Sequence, residues 1–184
     1  MVVTICFGEF ERNLQLEFIL AEPGDTIKIE SGLFPIIGTL SIEGKNDIVI
    51  KGSGMNRTIL DFSTQIEGAQ GLSITNCNNI IIEDLAIQNT KGDAIKSQYT
   101  NGIIFRNIRT QWMGGPKATN GGYGLYPVQC NNVLIEYCVA IAASNAGIYV
   151  GQSSNIIVRF SEAYKNVAGI EIENSIGADV YGNN

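Results

Sequence analysis

Histidine is missing from all 184 residues. Its absence removes the commonest general acid–base side chain and the commonest metal ligand. No Ser-His-Asp or Cys-His device can be assembled within this chain, and copper handling would have to rest on only 3 methionines. Positive charge is scarce too: 12 Lys and Arg stand against 18 Asp and Glu, for a net charge of −6 and a pI of about 4.6. There is no Lys/Arg cluster to neutralise a phosphate backbone, so nucleic acid is not an expected partner. No apolar run approaches the ~18 residues of a transmembrane segment. The opening Met1-Val2-Val3-Thr4-Ile5-Cys6-Phe7 is too short for a signal peptide and lacks a basic n-region. Either the protein stays inside or a signal has been removed. Proline is rare, at 4, and the 21 glycines follow no collagen period. What remains is 45% hydrophobic and 16% charged, the composition of one globular domain.

Against these absences stands a repeat. A small residue followed by an apolar–x–apolar run begins at Thr39, Gly71, Ala94, Gly124, Gly147 and Gly169, at spacings of 32, 23, 30, 23 and 22 residues. Such a period decides the fold before any single strand does. In the unit from Gly147 the short β runs are Gly147–Val150, Ile156–Arg159 and Glu162–Tyr164. Alternation inside them has period 2, the strand signature. Three strands per period, returning to the same phase, describe one turn of a parallel β-helix with rungs ~4.8 Å apart. Eight residues after each start stand Asp47, Asn79, Gly102, Asn132, Asn155 and Gly177. These residue types tolerate the left-handed conformation, so this phase predicts a sharp corner between the first and second strands. Stacked Asn side chains there would form a ladder.

The reading is one all-β domain over 1–184, with a cap and first strands in 1–38 and stacked turns over 39–184. Insertions fall near 52–70 and 110–122. The second holds the only tryptophan, Trp112. Apolar residues at Phe10, Leu14, Phe18 and Ala21 predict an amphipathic helix, which would cover the open end that a solenoid must cap. No equivalent follows the last turn, where the chain stops at Asn184. The expectation is that this end contacts further turns of a longer β-helix or another chain. Cys77 and Cys130 share a phase, six residues after their starts, with Thr100 on the turn between them. Two rungs separate them by ~9–10 Å, beyond disulfide reach. Cys138 falls on an inward position and reads as a small core residue, while Cys6 is uncommitted. No disulfide and no metal cluster is expected.

Two stretches carry a resemblance. Ala21-Glu22-Pro23-Gly24-Asp25-Thr26-Ile27-Lys28-Ile29-Glu30, followed by Gly32-Leu33-Phe34, resembles the N-terminal turn of pectin lyase-like right-handed β-helix proteins. Gly121-Gly122-Tyr123-Gly124-Leu125-Tyr126-Pro127-Val128-Gln129, with the stretches 146–153 and 166–175, resembles a family of exported bacterial β-helix repeat proteins without an established activity. The resemblance implies a right-handed coil and export to the periplasm, outer membrane or exterior. A more distant similarity is to mannuronan C5-epimerases, whose Tyr-Gly-x-Asp-Pro-His-Asp motif aligns with Tyr123 to Gln129. Tyr123, Gly124 and Pro127 match. Tyr126, Val128 and Gln129 replace the motif's Asp, His and Asp, so the epimerase activity is not carried over.

The phase also selects an outward row. Two residues after each start come Ser73, Lys96, Tyr126, Tyr149 and Glu171, and two further on come Thr75, Gln98, Val128, Gly151 and Glu173. At the corner beside them stand Asn76, Tyr99, Gln129, Gln152 and Asn174. Tyrosines offer flat platforms with a polar tip, and amides donate and accept hydrogen bonds. A polysaccharide is the partner this chemistry fits, held by Lys96, Trp112, Tyr126, Gln129, Tyr149, Gln152 and Glu171. Strand faces favour Tyr and Thr in any case, so a plain surface is the competing account. Catalytic candidates are Lys96, as a base if desolvated, and the pair Glu171 and Glu173, about 6–7 Å apart on one strand face. Paired carboxylates can work as acid and base on glycosides, or remain a solvated pair. A Ca²⁺ ion at the two glutamates would find few ligands. Three functions stand open: a polysaccharide-binding envelope protein, a lyase, hydrolase or epimerase with atypical residues, and a scaffold for a protein partner.

Overall fold

The structure, a computed structural model, describes residues 8–184. Helix α1 (Glu9–Leu20) comes first, followed by β1 (Thr26–Lys28), β2 (Gly32–Pro35), β3 (Leu40–Glu43), β4 (Asn46–Lys51), β5 (Thr58–Asp61) and β6 (Leu72–Thr75). Then come β7 (Asn78–Gln88), β8 (Ile95–Gln98), β9 (Asn101–Gln111), β10 (Leu125–Val128), β11 (Asn131–Glu136) and β12 (Val139–Ile141). The last coils contain β13 (Ala146–Gly151), β14 (Ser154–Arg159), β15 (Glu162–Tyr164), β16 (Ala168–Glu173) and β17 (Ile176–Tyr181). All pairings are parallel and join each strand to its equivalent one coil away. The result is a parallel β-helix with three faces. The first face is the six-stranded sheet β3-β6-β8-β10-β13-β16. The second runs β1-β4-β7-β9-β11-β14-β17, and the third is built from β2, β5, the ends of β7 and β9, β12 and β15.

Apolar residues stack inside in columns. Leu40, Leu72, Ile95, Leu125 and Ile148 line the first face, and Ile48, Ile80, Ile103, Val133 and Ile156 line the second, all 0–2% exposed. Each such side chain contributes roughly 1.5–3 kcal/mol of burial. All six residues of the predicted corner have positive φ, from 52° at Asn79 to 79° at Gly102. Within this row Asn79 Nδ2 donates to Asp47 Oδ1 at 2.9 Å and Asn155 Nδ2 to Asn132 Oδ1 at 3.3 Å. Glycine interrupts the ladder at 102 and 177, and Asn132 Nδ2 turns to Asn101 Oδ1 at 2.9 Å.

Three further left-handed rows were not expected: Asn76, Tyr99, Gln129, Gln152 and Asn174; Asp84, Asn107, Tyr137 and Phe160; and Asn89, Ala142 and Lys165. For Tyr, Gln and Phe this conformation costs about 1–2 kcal/mol per residue. What offsets it is continuity of the backbone ladder. Asn76 N–H donates to Gln98 O at 3.1 Å, Gln129 N–H to Gly151 O at 3.0 Å and Gln152 N–H to Glu173 O at 2.9 Å.

The helix is the predicted cap. Leu14, Phe18 and Ala21 are buried, and Phe10 stacks on Phe34 with ring centroids 3.9 Å apart. It also occupies the free edge of β3, which parallel pairing leaves open on one side. Gln15 Nε2 donates to Ser41 O, Ser41 N–H donates back to Gln15 Oε1, both at 2.8 Å, and Gly38 N–H donates to Glu11 Oε1 at 2.8 Å. In the last coil the inward Ile170 and Ile172 are only partly buried, and Val180 is exposed.

Cys77, Cys130 and Cys138 are free and buried; Cys6 lies outside the described residues. The cysteines sit in interior corner columns with serines that feed backbone groups. Cys130 N–H donates to Ser153 Oγ at 3.0 Å and Cys138 N–H to Ser161 Oγ at 3.1 Å. Burial pushes all three thiols up, Cys138 to about 12. We predict that iodoacetamide at pH 8, read by peptide mapping, labels none of the three until the protein unfolds. Because the folded thiols hold their protons, their contribution to stability is complete below ~8.5, the unfolded thiol value, and falls as pH rises through the higher folded values, about 12 for Cys138. Prompt labelling of Cys138 in the native protein would contradict this burial.

Along the edge of the second face runs an ionic ladder. Lys51 Nζ meets Glu83 Oε1 at 2.7 Å, Arg106 Nε meets Glu136 Oε1 at 2.7 Å, and Arg159 Nη2 meets Glu136 Oε2 at 2.6 Å. Burial works to raise the Glu136 carboxyl, but hydrogen bonds from Arg106 and Arg159 outweigh it and hold it below the usual range. The Glu136 side chain is 5% exposed, while the arginines are 40% and 33% exposed. Glu136→Ala should therefore cost about 2–3 kcal/mol in urea unfolding at pH 7, short of a fully buried pair. Its folded pKa is depressed, so this contribution is present above ~4.3 and is lost as pH falls through the lower folded value. The gap between variant and parent should narrow in acid.

Candidate functional site

The first face presents the outward rows in register. Ser73 pairs with Lys96, Lys96 with Tyr126, and Tyr149 with Glu171. Tyr126 falls beside Tyr149, between the paired Leu125/Ile148 and Val128/Gly151. A third ring joins them: Tyr123, from the turn before β10, has its centroid 4.6 Å from both Tyr126 and Tyr149, which are themselves 5.2 Å apart. Lys96 Nζ lies 5.2 Å from the Tyr126 centroid, within cation–π range.

Each ring is held. Tyr123 N–H donates to Asp93 Oδ1 at 3.2 Å, and Asn145 Nδ2 donates to the Tyr123 hydroxyl at 3.1 Å. The Tyr149 hydroxyl donates to Glu173 Oε2. This reach depends on Gly151: a Cβ there would come within 2.6 Å of Tyr149 Cε1. At the corner, Gln98 Nε2 donates to Gln129 Oε1 at 2.8 Å, and Gln129 and Gln152 are exposed.

The electrostatics keep the phenols protonated. The bond to Glu173, then burial, raises Tyr149 well above the usual phenol value. Burial, then the charges of Glu171 and Asp93, raises Tyr123, and burial, then Asp93, raises Tyr126. Burial also raises the Asp93 carboxyl. The cluster therefore offers ring faces with hydroxyl donors at its rim. Among the described residues no three His, Cys, Asp or Glu side chains gather to hold a metal ion.

The structure thus brings together Lys96, Tyr126, Gln129, Tyr149, Gln152, Glu171 and Glu173. Trp112 does not join them. Its indole is 4% exposed, and its Nε1–H donates to Thr90 O at 2.7 Å. The loop after it packs back onto the coil, with Asn120 Nδ2 donating to Ala142 O at 2.6 Å. Gly121 fits only without a side chain, since a Cβ would lie 1.7 Å from Gly92 O and 2.5 Å from the Trp112 ring. The indole fills the interior where the third face turns toward the first; it is not a lid.

Tyr123 and Asp93 were not among the sequence candidates. Both occupy the position one before a repeat start, so the phase marks them as equivalent, but they lie in turns, where it gives no direction for the side chain. A second concavity, of about 580 Å³, lies on the second face. Its floor is the outward aliphatic column Ile81, Ile104, Leu134 and Ile157. Its amide wall is bonded internally, which leaves fewer free polar groups to orient a ligand than the tyrosine face has.

The buried setting of Trp112 makes a prediction. Acrylamide should quench its fluorescence weakly in the native protein, and oligosaccharides should leave its emission unchanged. Strong quenching would place the indole at the surface.

The sequence matches the family described as right handed beta helix region over residues 37–184. No curated protein sequence matches the chain. Among solved structures it is similar to the A-module of the mannuronan C-5 epimerase AlgE4 from Azotobacter vinelandii, with 18% identity and a TM-score of 0.66, over 87% of this chain and 49% of that one. It is similar to an alginate lyase from Paenibacillus sp. str. FPU-7, with 16% identity and a TM-score of 0.67, over 94% of this chain and 73% of that one. A pectin methylesterase, PemA from Erwinia chrysanthemi, aligns with 13% identity and a TM-score of 0.52, over 85% and 58% of the two chains. The chain spans about half the length of the epimerase A-modules it matches, 49% and 48%. At these identities the likeness is one of fold.

Proposed function

Because the chain belongs to the right-handed β-helix family, we propose that it binds an extended polysaccharide along the outward face of its six-stranded sheet. The observation that carries this reading is the Tyr123–Tyr126–Tyr149 cluster, three rings within 4.6–5.2 Å of one another, two on the strand face and one from the turn before β10. Sugar rings present C–H faces that stack on aromatic platforms, and hydroxyls that meet phenols and amides. Lys96 and Glu171 flank the cluster by one rung on either side, and Gln129 and Gln152 form its corner rim. The similar folds named as mannuronan epimerase, alginate lyase and pectin methylesterase support a polysaccharide partner. With the polymer comes a location, in the cell envelope or outside the cell. No described helix is long and apolar enough to cross a membrane.

The test is the double substitution Tyr126→Ala, Tyr149→Ala. Loss of two platforms should weaken oligosaccharide binding by about 10–100-fold, while circular dichroism and the thermal transition report an intact coil. Affinity within about twofold of the parent would put the glycan elsewhere.

A further inference from the structure

We infer that the polymer held by the tyrosine face is a cationic, amino-sugar glycan and not a polyuronate. This rests on the glycan-binding reading above and adds the charge that the glycan must carry. Around the three rings stand the carboxyl side chains of Asp93, Glu171 and Glu173, and along the same rows Glu43. Against them the strand face sets one cation, Lys96, whose ammonium already lies over the Tyr126 ring. The other lysines of these coils, Lys91, Lys117 and Lys165, stand in turns between the third and first faces. Asp93 stands in such a turn too, but its carboxylate reaches the cluster, where it accepts from Tyr123 N–H. Lys45 is taken up by helix α1, where it donates to Ile19 O at 2.6 Å and Ala21 O at 2.9 Å.

The surplus of negative charge is also felt by the rings. Nearby carboxylates act in one direction on Tyr123, Tyr126 and Tyr149, raising each phenol. A polyuronate would bring one more carboxylate per sugar into this field, with a single ammonium to answer it. An amino-sugar polymer would set ammonium groups opposite Asp93, Glu171 and Glu173 while its ring faces stack on the tyrosines. Each exposed pair contributes little, so the preference should be modest and sensitive to salt.

The experiment compares three oligosaccharides of equal length on the full chain by calorimetry: glucosamine, N-acetylglucosamine and mannuronate. Glucosamine should bind about tenfold tighter than its neutral acetylated form, the scale of two or three exposed ion pairs. Mannuronate should bind weakest, and added salt should shrink the glucosamine advantage. Glu171→Gln with Glu173→Gln should remove most of that advantage. The control pair Glu9→Gln with Glu17→Gln, on exposed positions of α1, makes the same change in net charge and should keep it. Mannuronate binding as tightly as glucosamine would overturn the inference and leave the glycan-binding reading standing. Equal loss in the control pair would also overturn it, by tracing the preference to the overall charge of −6. If none of the three binds, the glycan-binding reading itself fails.

Discussion

Everything in this molecule depends on the register of its parallel backbone ladder. Each strand bonds to its equivalent one coil away, so equivalent positions must lie directly above one another. A side chain therefore has its most intimate neighbours 22 to 32 positions distant in sequence, at the same phase. This constraint sorts residues by column. Inside, the columns are aliphatic, with thiols and hydroxyls at the corners that feed backbone groups. Outside, like stacks on like where the groups can bond mutually, as in the Asn row, and opposite charges alternate where they cannot, as from Lys51 through Glu83, Arg106 and Glu136 to Arg159.

Because the ladder keeps phase, much of the fold was legible before any coordinates. Six Asp, Asn or Gly residues at one offset identified a corner that is left-handed throughout. The cap was readable from Phe10, Leu14, Phe18 and Ala21 for the ordinary reason that a helix buries one stripe. The other left-handed rows were not, because Tyr99, Gln129, Tyr137 and Phe160 are poor formers of that conformation. Their backbone is set by ladder bonds to the next coil, a tertiary cause with no local signature. The aliphatic column on the outside of the second face was equally hidden. Val49, Ile81, Ile104, Leu134 and Ile157 read as core by composition, and alternation is lost when both sides of a strand are apolar.

The placement of the candidate residues was legible to the same degree. Lys96, Tyr126, Tyr149, Glu171 and Glu173 follow from period 2 along a strand, and the structure brings them together. Trp112 shows the limit. A lone tryptophan in a long insertion suggests a surface loop, but its place directly after β9 continues the strand into the corner. There Trp112 N–H still bonds to Ile141 O at 3.2 Å, and the indole turns inward. Tyr123 and Asp93 belong to turns, where alternation gives no direction, and only the structure shows Tyr123 leaning onto its neighbours.

The bond between Tyr149 and Glu173 links two successive coils across the outer face. Gly151 supplies the room for it, and the neighbouring rings close in from the other side. A tyrosine on an open strand would ordinarily sample several rotamers, and a ligand would have to select one against that entropy. Here the selection is made during folding, when the rungs come into register. The ring stands at its angle before any partner arrives, so association would draw little on side-chain ordering. The platform thus inherits the rigidity of the coil beneath it.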